Sequence, residues 1–576
     1  MCIRDRSNTI TSTDNVLRVG GGFGSTSGLL NGQIQDARVY KGVAKYKGGF
    51  DVPKPYTPVG FESDSWRTTA DTCKNNFATL NPLAPSADVT YSNGNLTSLH
   101  GTSVTRGPSI ATIGVSQAGT EKYYWEYIST STSTNNALTG IVGLGPDITD
   151  GKYTGYNNQY GIGYYSANGE TYIAYGGSLT FATYGASYTN GDVIGVALDM
   201  GTNNGSLTFY KNGVSQGVAA TGLGAYLTSG AIQAWVPGFG DGGATSNVTH
   251  HVNFGQNPSF SGTVAAGTNA DDSGKGLFKY APPSGFLALC EDNLPTPAIA
   301  DPGDYFKAVL YTGDGVVGHS ITGVGFKPDF VWLKGRTSDG YNNIICDSVR
   351  GSKKTLFSNN TLAEYTDRGV SSFDDNGFTL SQAGSDENTS NISYVAWCWK
   401  AGGAAVSNTD GSITSQVSVN QNAGFSIVKF TAQTSGTGTV GHGLGKKPAF
   451  WIYKPNTNTT NWYMYHQSLG ASAWLNFTTT QATTGNAAAW GGVEPTSTVL
   501  THGDGLINQS SCILYAWTEI EGYSKFGSYV GNGNADGPFT YCGFKPAFVM
   551  TKRTDDTSNW IILDSSRGPT NPDLGW

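Results

Sequence analysis

Charge is what this sequence has least of. Only 13% of its 576 residues are Asp, Glu, Lys or Arg, about half of the roughly 25% usual in soluble domains. The net charge of −8 is spread thinly and leaves no basic face to neutralise phosphates, which excludes nucleic-acid binding and polybasic recruitment to a membrane. No apolar run approaches the roughly 20 residues that span a bilayer, so no membrane insertion is expected. The first residues lack the apolar core of a secretory signal. Cysteine is sparse and scattered, at positions 2, 73, 290, 346, 398, 512 and 542. Without a CxxC pair or a recurring spacing, neither a zinc site nor a disulfide framework is expected, and the thiols read as buried or incidental. Segments rich in Ala, Glu, Lys, Leu and Arg are nearly absent, which removes helical bundles.

What fills the space is glycine, 80 residues of it, with Ser, Thr and Asn, and aromatics at 12%. Thr, Tyr, Phe and Trp suit a pleated, half-buried surface, and the small polar residues suit turns. The fold class expected is all-β, as tandem β-sandwich modules, and the length allows about four domains.

A pass along the chain divides it. "MCIRDR", residues 1–6, resembles translated sequencing adaptor and is set aside. Residues 7–60 contain "GQIQDARVY" before a short turn, Phe50 and a proline-rich exit. They resemble the closing strand of a LamG, or concanavalin-like, sandwich. A lone strand is not stable, so this segment is expected to be the tail of a larger domain. Residues 70–258 carry, in order, "EKYYWEYIST", "NALTGIVGLG", "YGIGYYSANGETYIAYGG", "GDVIGVALDMGTNNGSLTFYKNG" and "HHVNFGQNPSF". In "DVIGVALDM" the alternation has period two, and Asn212-Gly213 is the favoured pair for a tight hairpin. This order of motifs resembles a SPRY domain. The resemblance implies a β-sandwich that binds short peptides, and sometimes other ligands, through loops at one edge. Residues 259–302, rich in Gly, Ser, Pro and Asp, read as a linker or extended strap.

The remainder repeats itself. "GFKPDFVWLKG" from Gly325, "GKKPAFWIYKP" from Gly445 and "GFKPAFVMTKR" from Gly543 align. "YTGDG" and "YVGNG" each begin fourteen residues before the Gly of "GFKP", and "IICDSVRG" matches "IILDSSRG". Pro328 and Pro448 are 120 residues apart, as are the "AW" pairs of "VAWCW" and "YAWTE". The units expected are 303–405, 412–524 and a shorter third copy, 525–576, which stops 30 residues after its Pro546 where the others run 69 residues to their closing Trp. Pro suits the first position of a strand. The strand after it is apolar on both faces, as Phe330 and Trp332 against Val331 and Leu333 show, which places it centrally in its sheet. In the third copy the same strand lacks a closing neighbour and is expected to be an uncovered, unstable edge. "GFKPDFVWLKG", "DSVRG" and "AWCWKAGG" resemble a domain of unknown function in predicted tail and virion proteins of marine bacteriophages. The middle copy departs from it, with "HQSLG" for "DSVRG".

Candidate binding residues are aromatic. Tyr153, Tyr156 and Tyr160 lie in or beside the Gly- and Asn-rich stretch "DITDGKYTGYNNQYG", and Trp490 in "NAAAWGGVEP"; rings on adaptable loops give contact area at low entropic cost. Asp347 with Arg350, and Asp564 with Arg567, read as capped turns with a local ion pair; the alternative is an Arg fork for a carboxylate or phosphate. His250 and His251 are adjacent on a strand and cannot chelate on one face. No catalytic set, metal site or cofactor motif is assigned; "GGGFG" and "GDGG" lack the helix and Lys-Ser/Thr of a phosphate loop. The function expected is a non-enzymatic phage virion component, a tail fibre or tail-associated adhesin assembled in the host cytoplasm. Its expected partners are a host-surface glycan or protein and other virion proteins, with homo-oligomerisation open. The alternatives are a tail-associated polysaccharide depolymerase and a cellular SPRY peptide-binding adaptor.

Overall fold

The computed structural model describes residue 71 and residues 75–568, except 85–88, 102–107, 117–119, 132–135, 146–159, 230, 242–246, 338–339, 479–482, 507–509, 532 and 534–537. The adaptor-like leader, the LamG-like segment 7–60, Tyr153 and Tyr156 lie outside the described residues. The chain divides into units 1–68 and 69–576, and all described residues belong to the second. They are almost wholly strand and turn.

Two facing antiparallel sheets form the first module. One runs in the order Val89–Ser92, Thr97–His100, Val248–Asn253, Lys122–Ser131, Val193–Asp199, Ser206–Lys211, Val214–Thr221. The other runs Ser109–Ile110, Ala234–Asp241, Ala137–Leu144, Tyr160–Tyr165, Glu170–Tyr175, Ser178–Thr183. Ile194, Val196 and Leu198 point into the core between them with Trp125, Tyr127 and Trp235. The hairpin is as the sequence suggests. Lys211 pairs with Val214, and Asn212 (φ 49°) and Gly213 (φ 80°) make the two-residue turn, whose two positive φ values fit the twist of the flanking strands.

The alternate residues of Val193–Asp199 are buried as well, and the segment 259–290 is what buries them. Phe278, Ala288 and Cys290 pack on Tyr124 and Ala197, Phe260 packs on Ile128 and Val193, and Leu287–Ala288 pairs in parallel with Tyr123–Tyr124. The linker reading of 259–302 therefore gives way to a strap. Its composition is that of a linker, but its turns deliver an apolar anchor at intervals to a sheet face that is itself apolar.

The three copies share one plan. In copy 1 the sheet order is Phe306–Thr312 (opening strand), Ser393–Trp399 (closing strand), Phe330–Gly335 (Lys-Pro strand), Ile344–Asp347, Lys354–Phe357, Tyr365–Thr366. Copy 2 repeats it as Phe425–Thr431, Ser511–Trp517, Phe450–Pro455, Tyr463–His466, Ala473–Asn476, Thr484–Gly485, with Ser415–Asn420 and Val406–Asn408 added outside the opening strand. Copy 3 keeps the Lys-Pro strand Phe548–Thr551 paired with Ile561–Asp564.

The two apolar faces of each Lys-Pro strand have different partners. In copy 1, Val331 and Leu333 pack within the copy, against Ile321, Val370, Phe378 and Leu380 of a small second sheet. Phe330 and Trp332 face the other way, into a core shared with Phe450, Ile452 and Trp462 of copy 2 and flanked by Phe548, Met550 and Trp560 of copy 3. Among the described residues the Lys-Pro strand of copy 3 pairs with Ile561–Asp564 alone, so its other edge carries no closing strand, while one of its faces is covered by the neighbouring copies. Its other face stays open: Val549 is 37% and Ile561 49% exposed, where the matching Val331 and Ile344 are both 0%.

Candidate functional site

Tyr160, the one proposed loop tyrosine among the described residues, opens its strand at the end of the sandwich and is half-buried. Its ring lies 5.3 Å from Tyr226, which stacks on Tyr175 at 4.7 Å and 18° and meets Trp235 edge-on at 6.2 Å. Tyr226 comes from the short helix Gly224–Thr228. The sequence offers no sign of this trio, because its members are brought together from three separated segments.

Trp490 is not a surface aromatic. It is 1% exposed, its indole N–H donates to Ala473 O at 3.1 Å, and its ring meets Trp451 edge-on at 5.0 Å. A Gly-rich neighbourhood here marks a tight turn after Ala487–Ala489 that drives the ring into the core of copy 2.

The two DSxRG turns have a second role besides the local one. Asp347 Oδ1 accepts from the N–H of Val349 and Arg350 at 3.1 and 2.8 Å, and its Oδ2 accepts from Arg350 Nε. Arg350 also donates to Ile345 O at 2.9 Å and to Glu364 at 3.1 Å. Into this buried group reaches Tyr515 of copy 2, whose hydroxyl donates to Asp347 Oδ2 at 2.7 Å. Copy 3 repeats the arrangement: Asp564 holds Arg567 and accepts from Trp397 Nε1 of copy 1 at 3.0 Å, with the Arg567 guanidinium 5.2 Å from the centre of the Trp397 ring. A further contact recurs between successive copies. Trp462 Nε1 donates to Phe357 O, and Trp560 Nε1 to Asn476 O, both at 2.9 Å. Each turn therefore meets the closing strand of the next copy, with copy 1 following copy 3, so the copies stand head to tail around the shared core.

Other buried ionisable groups are also engaged. Glu126, 0% exposed, accepts the backbone N–H of Lys279 and Tyr280 of the strap at 2.7 and 2.8 Å and the Asn253 amide at 3.3 Å. Desolvation pushes its carboxyl up to about 7 despite these donors. Lys454 Nζ lies within 2.8 to 3.3 Å of four carbonyl oxygens, those of Thr361, Pro455, Asn458 and Thr460, which share its three N–H donors; burial pushes its ammonium down to about 8. Pro455, Asn458 and Thr460 also line an open cleft of about 270 Å³ with Tyr463 and Leu506. His250 points inward and bonds Tyr127, whereas His251 is half-buried. The thiols of Cys346 and Cys512 are buried and pushed up to about 11. Among the described residues there is no cluster of His, Cys, Asp and Glu fit to hold a metal ion. No helix among them is long and apolar enough to cross a membrane.

With the sandwich and the copies laid out, comparison with known proteins bears on both. The SPRY domain family matches residues 112–255. Those residues are a SPRY domain. A domain of unknown function, DUF7483, matches residues 301–574, so one family description takes in all three copies. No curated protein matches the chain. Among solved structures, stonustoxin is 17% identical over 31% of this chain and 27% of its own, with a TM-score of 0.23. Alginate lyase A1-II', a member of polysaccharide lyase family 7, is 11% identical over 29% of this chain and 81% of its own, with a TM-score of 0.18. The chain thus spans about a quarter of the length of the stonustoxin chain. At such TM-scores neither likeness bears on what this protein does.

Proposed function

We propose that this chain is a non-enzymatic bacteriophage virion component, a tail fibre or tail-associated adhesin that recognises a host-surface glycan or protein. It is made in the host cytoplasm and joins other virion proteins in the tail. The observation that carries the reading is the division of labour between buried and exposed groups. The Asp–Arg turns, Glu126 and Lys454 spend their charges on joining segments of the frame, while half-buried rings such as Tyr160, Tyr175 and Tyr226 stand at the surface of the SPRY sandwich. A rigid frame that presents amphipathic rings suits recognition, since such rings bind through area and lose little entropy. The resemblance of the copies to phage virion domains supplies the setting.

Two measurements test it. Peptides of this chain should band with particles when marine virus fractions are separated by density, and their recovery only from the cellular fraction would remove the virion assignment. The purified chain, fluorescently labelled, should bind intact marine bacteria saturably and lose that binding when surface glycans or proteins are stripped; binding to none of a broad panel would sink the adhesin reading.

A further inference from the structure

The ring of copies has three opening segments but only two closing strands among the described residues. Each opening segment sets a phenylalanine on the Lys-Pro strand of another copy: Phe306 lies 5.5 Å from Phe548, Phe425 5.9 Å from Phe330 and Phe526 5.7 Å from Phe450. In copies 1 and 2 the closing strand lies between the opening strand and the Lys-Pro strand and pairs with both. Trp399 is registered against Phe306 and Phe330, and Trp517 against Phe425 and Phe450. Copy 3 has both flanks of the same slot, residues 525–531 and the strand Phe548–Thr551, and among the described residues no strand lies between them. The side chains that a closing strand covers elsewhere meet solvent here. Tyr529 stands where copy 1 has Tyr311, whose ring stacks on Tyr394 of the closing strand at 5.0 Å and 10°; Tyr529 is 51% exposed. Val549 stands where copy 1 has Val331, which is registered against Cys398 of the closing strand.

We propose that the slot in copy 3 takes up an extended strand from a separate polypeptide, with the alternating aromatic and apolar pattern of the closing strands of copies 1 and 2. The two filled slots fix how it binds. The incoming strand runs antiparallel to Phe548–Thr551 and completes its ladder, as strand addition to an exposed sheet edge does. One of its faces enters the shared core as Trp397 and Trp399 do in copy 1 and Tyr515 and Trp517 in copy 2. The other covers Val549, as Ala396 and Cys398 cover Val331. The turn of copy 2 selects one residue of the strand. In copies 1 and 3 the Asp of the turn accepts from the next closing strand, through Tyr515 and Trp397. Copy 2 has His466 at that place, and its Nδ1 accepts from the Ser468 N–H at 3.1 Å, as Asp347 Oδ1 does from Val349. The imidazole, kept neutral by burial, then carries its proton on Nε2. Copy 2 thus offers a donor where the others offer an acceptor. A strand with a tyrosine at the place of Tyr515 suits it, because a hydroxyl accepts as well as donates, whereas an indole only donates.

Fluorescence polarisation with the full chain tests this, using a labelled peptide of residues 510–519, SSCILYAWTE, with Cys512→Ser against oxidation. The peptide should bind saturably and a scrambled one should not. Val549→Asp, which sets a charge beside the incoming strand, should weaken binding about tenfold with unchanged circular dichroism. Tyr515→Trp within the peptide should weaken it severalfold. Absence of binding, equal binding of the scrambled peptide, or equal binding by the Val549→Asp chain would overturn the proposal; equal binding of the Tyr515→Trp peptide would overturn the selection by His466. Residues 569–576 lie outside the described residues. If a chain ended at Gly568 binds the peptide and the full chain does not, the slot belongs to the chain's own tail. If the full chain is a dimer in light scattering that Val549→Asp disperses, a second copy fills it. Either result would overturn the proposal.

Discussion

Asp347 gathers donors from two ends of the chain, because Arg350 is three residues away and Tyr515 is 168. A buried carboxylate and guanidinium hold each other only while both are present, since loss of one leaves an uncompensated charge. Asp347→Ala should therefore cost about 3 to 5 kcal/mol in urea denaturation. Tyr515→Phe should cost less, about 1 to 3 kcal/mol, because it removes one hydrogen bond to a charged acceptor and leaves the other donors in place. If Tyr515→Phe matches wild type, the inter-copy bond contributes nothing. The sequence makes the local half of this group legible, as "DSVRG" spells a capped turn with an ion pair. It hides the other half, since nothing in "YAWTE" or "VAWCW" says which turn its aromatics will meet. Glu126 offers a test by pH. Its folded value, about 7, lies above the about 4.5 of a free glutamate. The folded state thus holds a proton that the unfolded state releases, so this group's contribution is complete below pH 4.5 and is lost as pH rises through 7. Stability relative to Glu126→Gln, which does not titrate, should narrow by up to about 3 kcal/mol between pH 4.5 and 8. A gap that is constant or widens over that range would show that Glu126 ionises normally.

At the scale of elements, what the sequence reveals depends on whether a segment's partners are local. The Asn212-Gly213 hairpin is legible because its geometry is fixed within four residues. Its glycine has a second constraint that is not. A Cβ at Gly213 would come within 2.8 Å of the Tyr280 ring, on the strap. Gly213→Ala should thus lose both the positive φ and the fit to the strap, at a cost of about 1 to 3 kcal/mol. Hydrogen exchange should quicken around 278–280 as well as in the hairpin, and quickening in the hairpin alone would mean that the strap does not lean on it. The strap is only half legible: the sequence leaves 259–302 as linker or strap, because its Gly and Pro content suits either and its anchors, Phe260, Phe278 and Ala288, follow no single period. Its one trace in "DVIGVALDM" is faint, since the face that the strap covers offers only Val193 and Ala197 beside Gly195 and Asp199. Trp490 shows the converse error: a ring among glycines and alanines reads as exposed until the turn that buries it is seen.

For the whole molecule, the recurrence of a strand motif says how many copies there are but not how they meet. Both faces of "KPDFVWLK" are apolar, which is consistent with a central strand in an isolated sandwich. It is equally consistent with a strand shared between its own small sheet and a core common to three copies, and the second arrangement is the one observed. That difference reverses a prediction. If the third copy were an uncovered appendage, ending the chain at residue 524 would improve solubility. In the ring, Phe548 lies 5.5 Å from both Phe306 and Trp399 and 6.0 Å from Trp397, and Asp564 accepts from the Trp397 indole. Deletion would expose those rings, and would also strip Phe539 and Tyr541 from Val142, Leu144 and Val236 of the SPRY sheet. Each large side chain returned to water forfeits about 1.5 to 3 kcal/mol. The truncated chain should melt lower than the full chain, bind more of a hydrophobic dye and aggregate sooner. Within the full chain, the half-open face of Val549 and Ile561 should still make residues 548–564 exchange amide hydrogens faster than 330–335 and 450–455. A truncated chain that melts as high as the full one and stays more soluble would mean that the third copy closes nothing, and the head-to-tail arrangement would have to be abandoned.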